Sequence, residues 1–128
     1  MKNLALTAVL ATALVAVSIA APALASRKPT HKEAIAITKA FKTTPKAGLK
    51  EIAYQFAVVK IRISTVNPHY ARASFVALKR YRNMFQPSYG VAKRGTRGWK
   101  VVDVGSASVG CGKVPAAVRK DLKLICAG

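Results

Sequence analysis

Residues 56–82 read FAVVKIRISTVNPHYARASFVALKRYR. Two β-patterned runs flank a turn signal, Val66-Asn67-Pro68-His69, in which Pro removes a ladder donor and Asn favours a turn. The first strand is expected over Leu49–Thr65. In its second half Ala57, Val59, Ile61 and Ile63 alternate with Val58, Lys60, Arg62 and Ser64, which predicts one apolar face and one increasingly cationic face. The second is expected over Tyr70–Arg82, with Ala71, Ala73, Phe75 and Ala77 on one face and Tyr70, Arg72, Ser74, Val76 and Leu78 on the other. Four turn residues cannot hold a crossover helix, so the two strands must run antiparallel.

The same logic extends downstream. Gln86-Pro87-Ser88 breaks the chain. A short strand, Tyr89–Lys93, leads through the glycine-rich loop Arg94-Gly95-Thr96-Arg97-Gly98 into a strand at Trp99–Val104. There Trp99 and Val101 are assigned to one face and Val102 and Val104 to the other, with Asp103 on the Trp99–Val101 side. Upstream, Thr30-His31-Lys32-Glu33 fits a capping box. Ala34, Ile37 and Phe41 follow at helical spacing while Lys32, Lys39 and Lys42 turn elsewhere, which predicts a helix over about 31–42 that Thr43-Thr44-Pro45 stops. The order implies an α+β fold, an N-terminal helix packed on a 3–4-stranded antiparallel sheet, cystatin-like in arrangement.

After the last strand come Gly105-Ser106-Ala107-Ser108, then Gly110-Cys111-Gly112, then Pro115 at a first helical position. Val118 and Leu122 stand one helical turn apart. Cys111 and Cys126 are the only cysteines, and they bracket this segment. In an oxidising compartment an even count reads as a disulfide. Closing a loop of that size stabilises by about 3 kcal/mol in the chain-entropy model. The bridge would tie down a helix too short to persist alone.

The compartment is read from the N-terminus. Residues 1–25 carry Lys2, an uncharged run from Leu4, and Ala23-Leu24-Ala25, the pattern of a secretory signal peptide cleaved after Ala25. Residues 26–128 then form one secreted domain. The whole chain has 22 Lys+Arg against 4 Asp+Glu, a net charge of +18, and cleavage removes only Lys2 from that inventory. Such an excess favours anionic partners. The densest basic region is 79–100, and an anion-binding surface is placed at Lys79, Arg80, Arg82, Lys93, Arg94, Arg97 and Lys100. Tyr81, Phe85, Tyr89 and Trp99 are interleaved with these cations. They are read as packing residues, Phe85 and Trp99 in the core, rather than as a stacking platform for nucleic acid.

Little points to catalysis. Glu33 is used by the cap, and Asp121 lies in the C-terminal helical run. Glu51 and Asp103 remain as a carboxylate pair on different elements, and catalysis would need them to converge. His31 and His69 lack a recognisable nucleophile and orienting acid. No metal site and no cofactor are expected.

Ile63-Ser64-Thr65-Val66-Asn67-Pro68-His69-Tyr70-Ala71, Gly98-Trp99-Lys100-Val101-Val102-Asp103-Val104-Gly105, Val109-Gly110-Cys111 with Val114-Pro115, and Asp121-Leu122 with Cys126 resemble small secreted actinobacterial proteins of unknown function. The resemblance covers about residues 55–128. It implies an exported, disulfide-bonded domain and carries no activity with it. The expectation is therefore a monomeric, non-enzymatic secreted or cell-wall-associated protein. Its expected partners are anionic envelope polymers or lipid headgroups, with nucleic acid bound only non-specifically. A secreted inhibitor or protein-binding module using loop 86–97 is the alternative.

Overall fold

The computed structural model describes residues 25–126. The signal-peptide expectation falls almost wholly on residues 1–24, outside the described residues. Helix α1 spans His31–Thr43. Four strands follow, β1 Phe56–Ile63, β2 Tyr70–Ala77, β3 Ser88–Gly95 and β4 Gly98–Gly105, and then the short helix α2, Ala116–Asp121. The strands form one antiparallel meander in the order β1-β2-β3-β4. Arg27 adds a two-bond bridge to Ile63, with both N–H···O distances 2.8 Å.

The capping box forms as expected. Glu33 N donates to Thr30 Oγ1 at 3.2 Å and Thr30 N donates to a Glu33 carboxylate oxygen at 2.9 Å. Arg27 adds a two-pronged pairing to the same carboxylate, 2.9 Å on each side. Two strands are shorter than their patterns suggested. Residues 53–55 and 79–81 are single 3-10 turns rather than strand. Lys42 does not turn to solvent. Its ammonium bonds the carbonyls of Ala53 and Phe56 and sits 4.3 Å over the Phe56 ring, so it closes the entry to β1. Burial without an acidic partner lowers its pKa.

Strict alternation also fails in β1 and β4, and for one reason. Val59 pairs with Ser74 but Arg62 pairs with Arg72, so Lys60 and Ile61 together oppose Ala73. Likewise Val91 pairs with Asp103 while Ala92 pairs with Val101, which leaves Val102 as the extra residue. A bulge shifts the phase of every position beyond it. Phe56, Val58, Ile61 and Ile63 therefore face α1, and the expected grouping of Ala57 and Val59 with Ile61 and Ile63 does not hold. Val104 joins Trp99 and Val101 toward α1, while Asp103 turns to the opposite face.

Each face carries a core. On one side Ile37 and Phe41 of α1 pack on Phe56, Ile63, Ala71, Ala73, Phe75, Ala92 and Val101. Trp99 is half-buried against this cluster, whereas Phe85, expected in the core, is half-buried outside both clusters. The floor beneath Phe41 is built from the smallest residues. A Cβ on Gly90 would lie 2.6 Å from the Phe41 ring and 3.1 Å from that of Phe75. On the other side Tyr70 and Val91 meet Val109, Val114, Val118, Leu122 and Leu124 of the C-terminal segment. Cys111 and Cys126 are disulfide-bonded, Cα atoms 5.8 Å apart, and tie the two ends of that second layer together.

Candidate functional site

The seven cations read from the sequence as one surface are all exposed, but the fold divides them. Lys79, Arg80 and Arg82 lie in the β2–β3 connection, before β3 begins. Lys93, Arg94, Arg97 and Lys100 surround the β3–β4 turn at the other end of β3. From Ser88 to Lys93 the strand runs five residues, so at about 3.3 Å each roughly 17 Å of strand lies between the two groups. The second group divides again. Lys93 pairs with Lys100 across the ladder on the face of the C-terminal segment, while Arg94 pairs with Trp99 on the α1 face. Lys93, Arg97 and Lys100 line a shallow groove with Lys46.

A different cationic site emerges on the β1 side of the C-terminal layer. An open groove of about 910 Å³ runs along β1 and is lined by Lys28, Lys60, Arg62, Arg72 and Lys123 together with apolar Val59 and Leu122. These five residues come from four separate segments. Two of the cations hold the walls. Arg62 donates to the hydroxyl and carbonyl of Ser26. Arg72 donates to the carbonyls of Leu122 and Lys123 at 3.0 and 2.7 Å and stacks 4.5 Å over the Tyr89 ring. Arg72 thereby places a positive charge at the C-terminus of α2, where the carbonyl ends favour it.

Lys60 and Lys123 do something else. Both have left-handed backbone, φ 52° and φ 56°. Lys60 occupies the bulge in β1. Lys123 is the residue after the α2 cap: Leu124 N donates to Arg119 O at 2.8 Å and Lys123 N to Lys120 O at 3.2 Å, the bond pattern of a Schellman stop. Glycine is the low-cost residue at such positions, and a side chain there costs about 1–2 kcal/mol. Two strained lysines thus border one groove.

The carboxylates serve structure. Asp103 accepts from Gly110 N at 2.8 Å and lies 3.7 Å from Lys113, and so pins the turn before Cys111. Asp121 accepts from Ser64 Oγ and Thr65 N, each at 2.7 Å, and so ties α2 to the β1–β2 turn. Burial raises the Asp121 pKa, but the hydrogen bonds from Ser64, Thr65, Val66 and Ser26 outweigh it and hold the group below the ordinary range. Glu33 is held at about 2, chiefly by the Arg27 guanidinium and despite partial burial. Glu51, His31 and His69 are exposed. Among the described residues no three potential metal ligands cluster, and no helix is long and apolar enough to cross a membrane.

No sequence pattern pointed to this groove. Its cations are scattered from position 28 to position 123, and the backbone strain at Lys60 and Lys123 has no signature in residue order. Comparison of the chain with protein-family models, with curated proteins and with solved structures finds no match.

Proposed function

We propose that this protein is a secreted, non-enzymatic domain that holds anionic polymers of the cell envelope or extracellular matrix in the β1 groove. The supporting observation is the pair Lys60 and Lys123, which keep a long cationic side chain where glycine would be more stable. Strain retained at a site is an indication of function there. The net charge supplies long-range attraction to any polyanion. The groove adds a place where phosphate or carboxylate groups meet converging ammonium and guanidinium groups, beside apolar Val59 and Leu122, which accept the polymer's non-ionic parts.

The test exploits opposite signs. Replacing Lys60→Gly and Lys123→Gly together is expected to raise stability, by about 1–2 kcal/mol per site less the chain entropy that glycine loses on folding, and to weaken retention on an anionic envelope polymer. Lys32→Gln with Lys39→Gln removes the same charge from exposed positions of α1. Arg94→Gln with Arg97→Gln does so at the hairpin. Retention is read across a salt series, because electrostatic contacts weaken with ionic strength. Greatest loss in the glycine pair supports the groove. Greatest loss in the hairpin pair moves the site there, and equal losses in all three mean diffuse charge without a site.

A second reading, a protein-binding module, is favoured by one observation. Tyr54, Leu78 and Met84 are exposed around the residue 79–81 turn, and Tyr54 stacks edge-on to Tyr81 with centroids 5.7 Å apart. Binding through that patch would be less sensitive to salt than polyanion binding.

A further inference from the structure

Asp121 poses a question of charge. Cations greatly outnumber acids in the chain, yet no lysine or arginine ion-pairs with this carboxylate among the described residues. Its partners are neutral groups: the Ser64 and Thr65 hydroxyls and the amides of Thr65 and Val66. The chain just before α1 lies beside it. The antiparallel bridge between Arg27 and Ile63 sets Ser26 opposite Ser64, and Ser64 is the residue whose hydroxyl donates to Asp121. Ser26 is only 7% exposed, a high degree of burial for a polar residue so near an end of the fold. Arg62 fixes it from the other side through its hydroxyl and carbonyl. The Ser26 amide is among the backbone groups that lower the Asp121 pKa, in keeping with its place beside Ser64.

We infer that Ser26 is the residue that export processing frees, and that its new α-amino group docks on Asp121 as the missing counter-charge. This rests on the reading of Ala23-Leu24-Ala25 as a cleavage site. Hydrolysis of the Ala25–Ser26 peptide bond adds water across it. Ala25 leaves with a carboxylate, and Ser26 keeps an amine that is protonated at neutral pH. The neutral amide of the precursor becomes an ammonium that can give Asp121 a charge-assisted hydrogen bond, roughly twice as strong as a neutral one. It is partly shielded from water and closes a junction of three segments: the N-terminal lead-in, the β1–β2 turn and the end of α2. Ala25 and Ser26 also line the β1 groove, so cleavage between them takes Ala25 from that wall. Maturation in this way tightens the fold beside the groove.

The experiment uses the mature chain, which begins at Ser26 and contains both cores. Two N-terminal forms, free and N-acetylated, are prepared with and without Asp121→Asn, and unfolding is followed in urea. Acetylation is expected to raise the unfolding equilibrium constant about tenfold with Asp121 present and to change it less than twofold with Asp121→Asn. Equal effects in both backgrounds overturn the inference. Titration of the 15N-labelled α-amine gives an independent reading. Asp121 favours its charged form and Arg62 opposes it, so Asp121→Asn must lower the amine pKa, and an unchanged pKa overturns the docking. If Asp121→Asn does not fold, acylation by an active ester is compared in folded and unfolded wild type. Protection of Ser26 in the folded protein sustains the inference, and equal rates refute it. None of these readouts involves polymer retention, so failure of the groove proposal leaves them intact. N-terminal sequencing of exported protein tests the cleavage separately.

Discussion

Gly90 carries the packing of α1 at the level of a single residue. Phe41 and Phe75 stand edge to face, with centroids 5.1 Å apart, over a patch of sheet built from Ala71, Ala73, Gly90 and Ala92. Gly90 needs no unusual φ, so its role is spatial: the missing Cβ is where the Phe41 ring sits. Aromatic rings are stiff and the neighbouring Asp103 carbonyl is backbone, so nothing near can yield cheaply. Gly90→Ala is therefore expected to destabilise by about 1–3 kcal/mol, the usual cost of overpacking a core. Equilibrium denaturation checks it. Gly95→Ala at the hairpin, where a Cβ would meet nothing within 4 Å, is the control and should change little.

Among the elements, α2 depends most on its surroundings. Six residues cannot sustain a helix in water. Burial of Val118 and Leu122, the Arg72 contacts to its C-terminal carbonyls, the Asp121 contacts to the β1–β2 turn and the Cys111–Cys126 bridge together hold it. The bridge limits what this segment can explore when the chain unfolds. Cys126→Ser should then lower stability by about 2–4 kcal/mol, the range for a native disulfide. Thermal unfolding with and without reductant should show the wild type falling toward the variant and the variant unmoved. The β1 bulge acts at the same scale. It places a charged residue on an edge strand, which discourages pairing with another chain.

For the whole molecule, the charge imbalance makes acid the informative perturbation. Glu33 and Asp121 both have folded pKa values below their unfolded ones. Their contribution to stability is complete above the unfolded values, near pH 4, and is lost as pH falls through the folded values, which for Glu33 is about 2. The loss releases the Arg27 pairing at the start of α1 and the junction at α2 while removing the few negative charges that offset the cations. Denaturation midpoints should hold steady from neutral pH to about pH 5 and drop steeply below pH 4. Added salt should restore part of the loss by screening. In Glu33→Gln the drop should be shallower; an identical acid limb would remove Glu33 from the account.

The legible features were those with local causes. The capping box follows from side chains three residues apart, the antiparallel meander from turns too short for a crossover, and the disulfide from an even cysteine count in a chain that carries an export pattern. The fold divides the seven cations because proximity in sequence is poor evidence of proximity across a strand, whose two ends lie far apart. Residue order determined an α+β domain with a capped first helix, a basic surface and a tied C-terminus. Tertiary structure alone decided which strand residues face α1, because one inserted residue reverses the phase of an alternating pattern and side-chain period cannot locate the insertion. It alone brought Lys28, Lys60 and Lys123 to one groove and Ser64 to both Ser26 and Asp121, because those placements join distant segments and exist only once both faces of the sheet are covered.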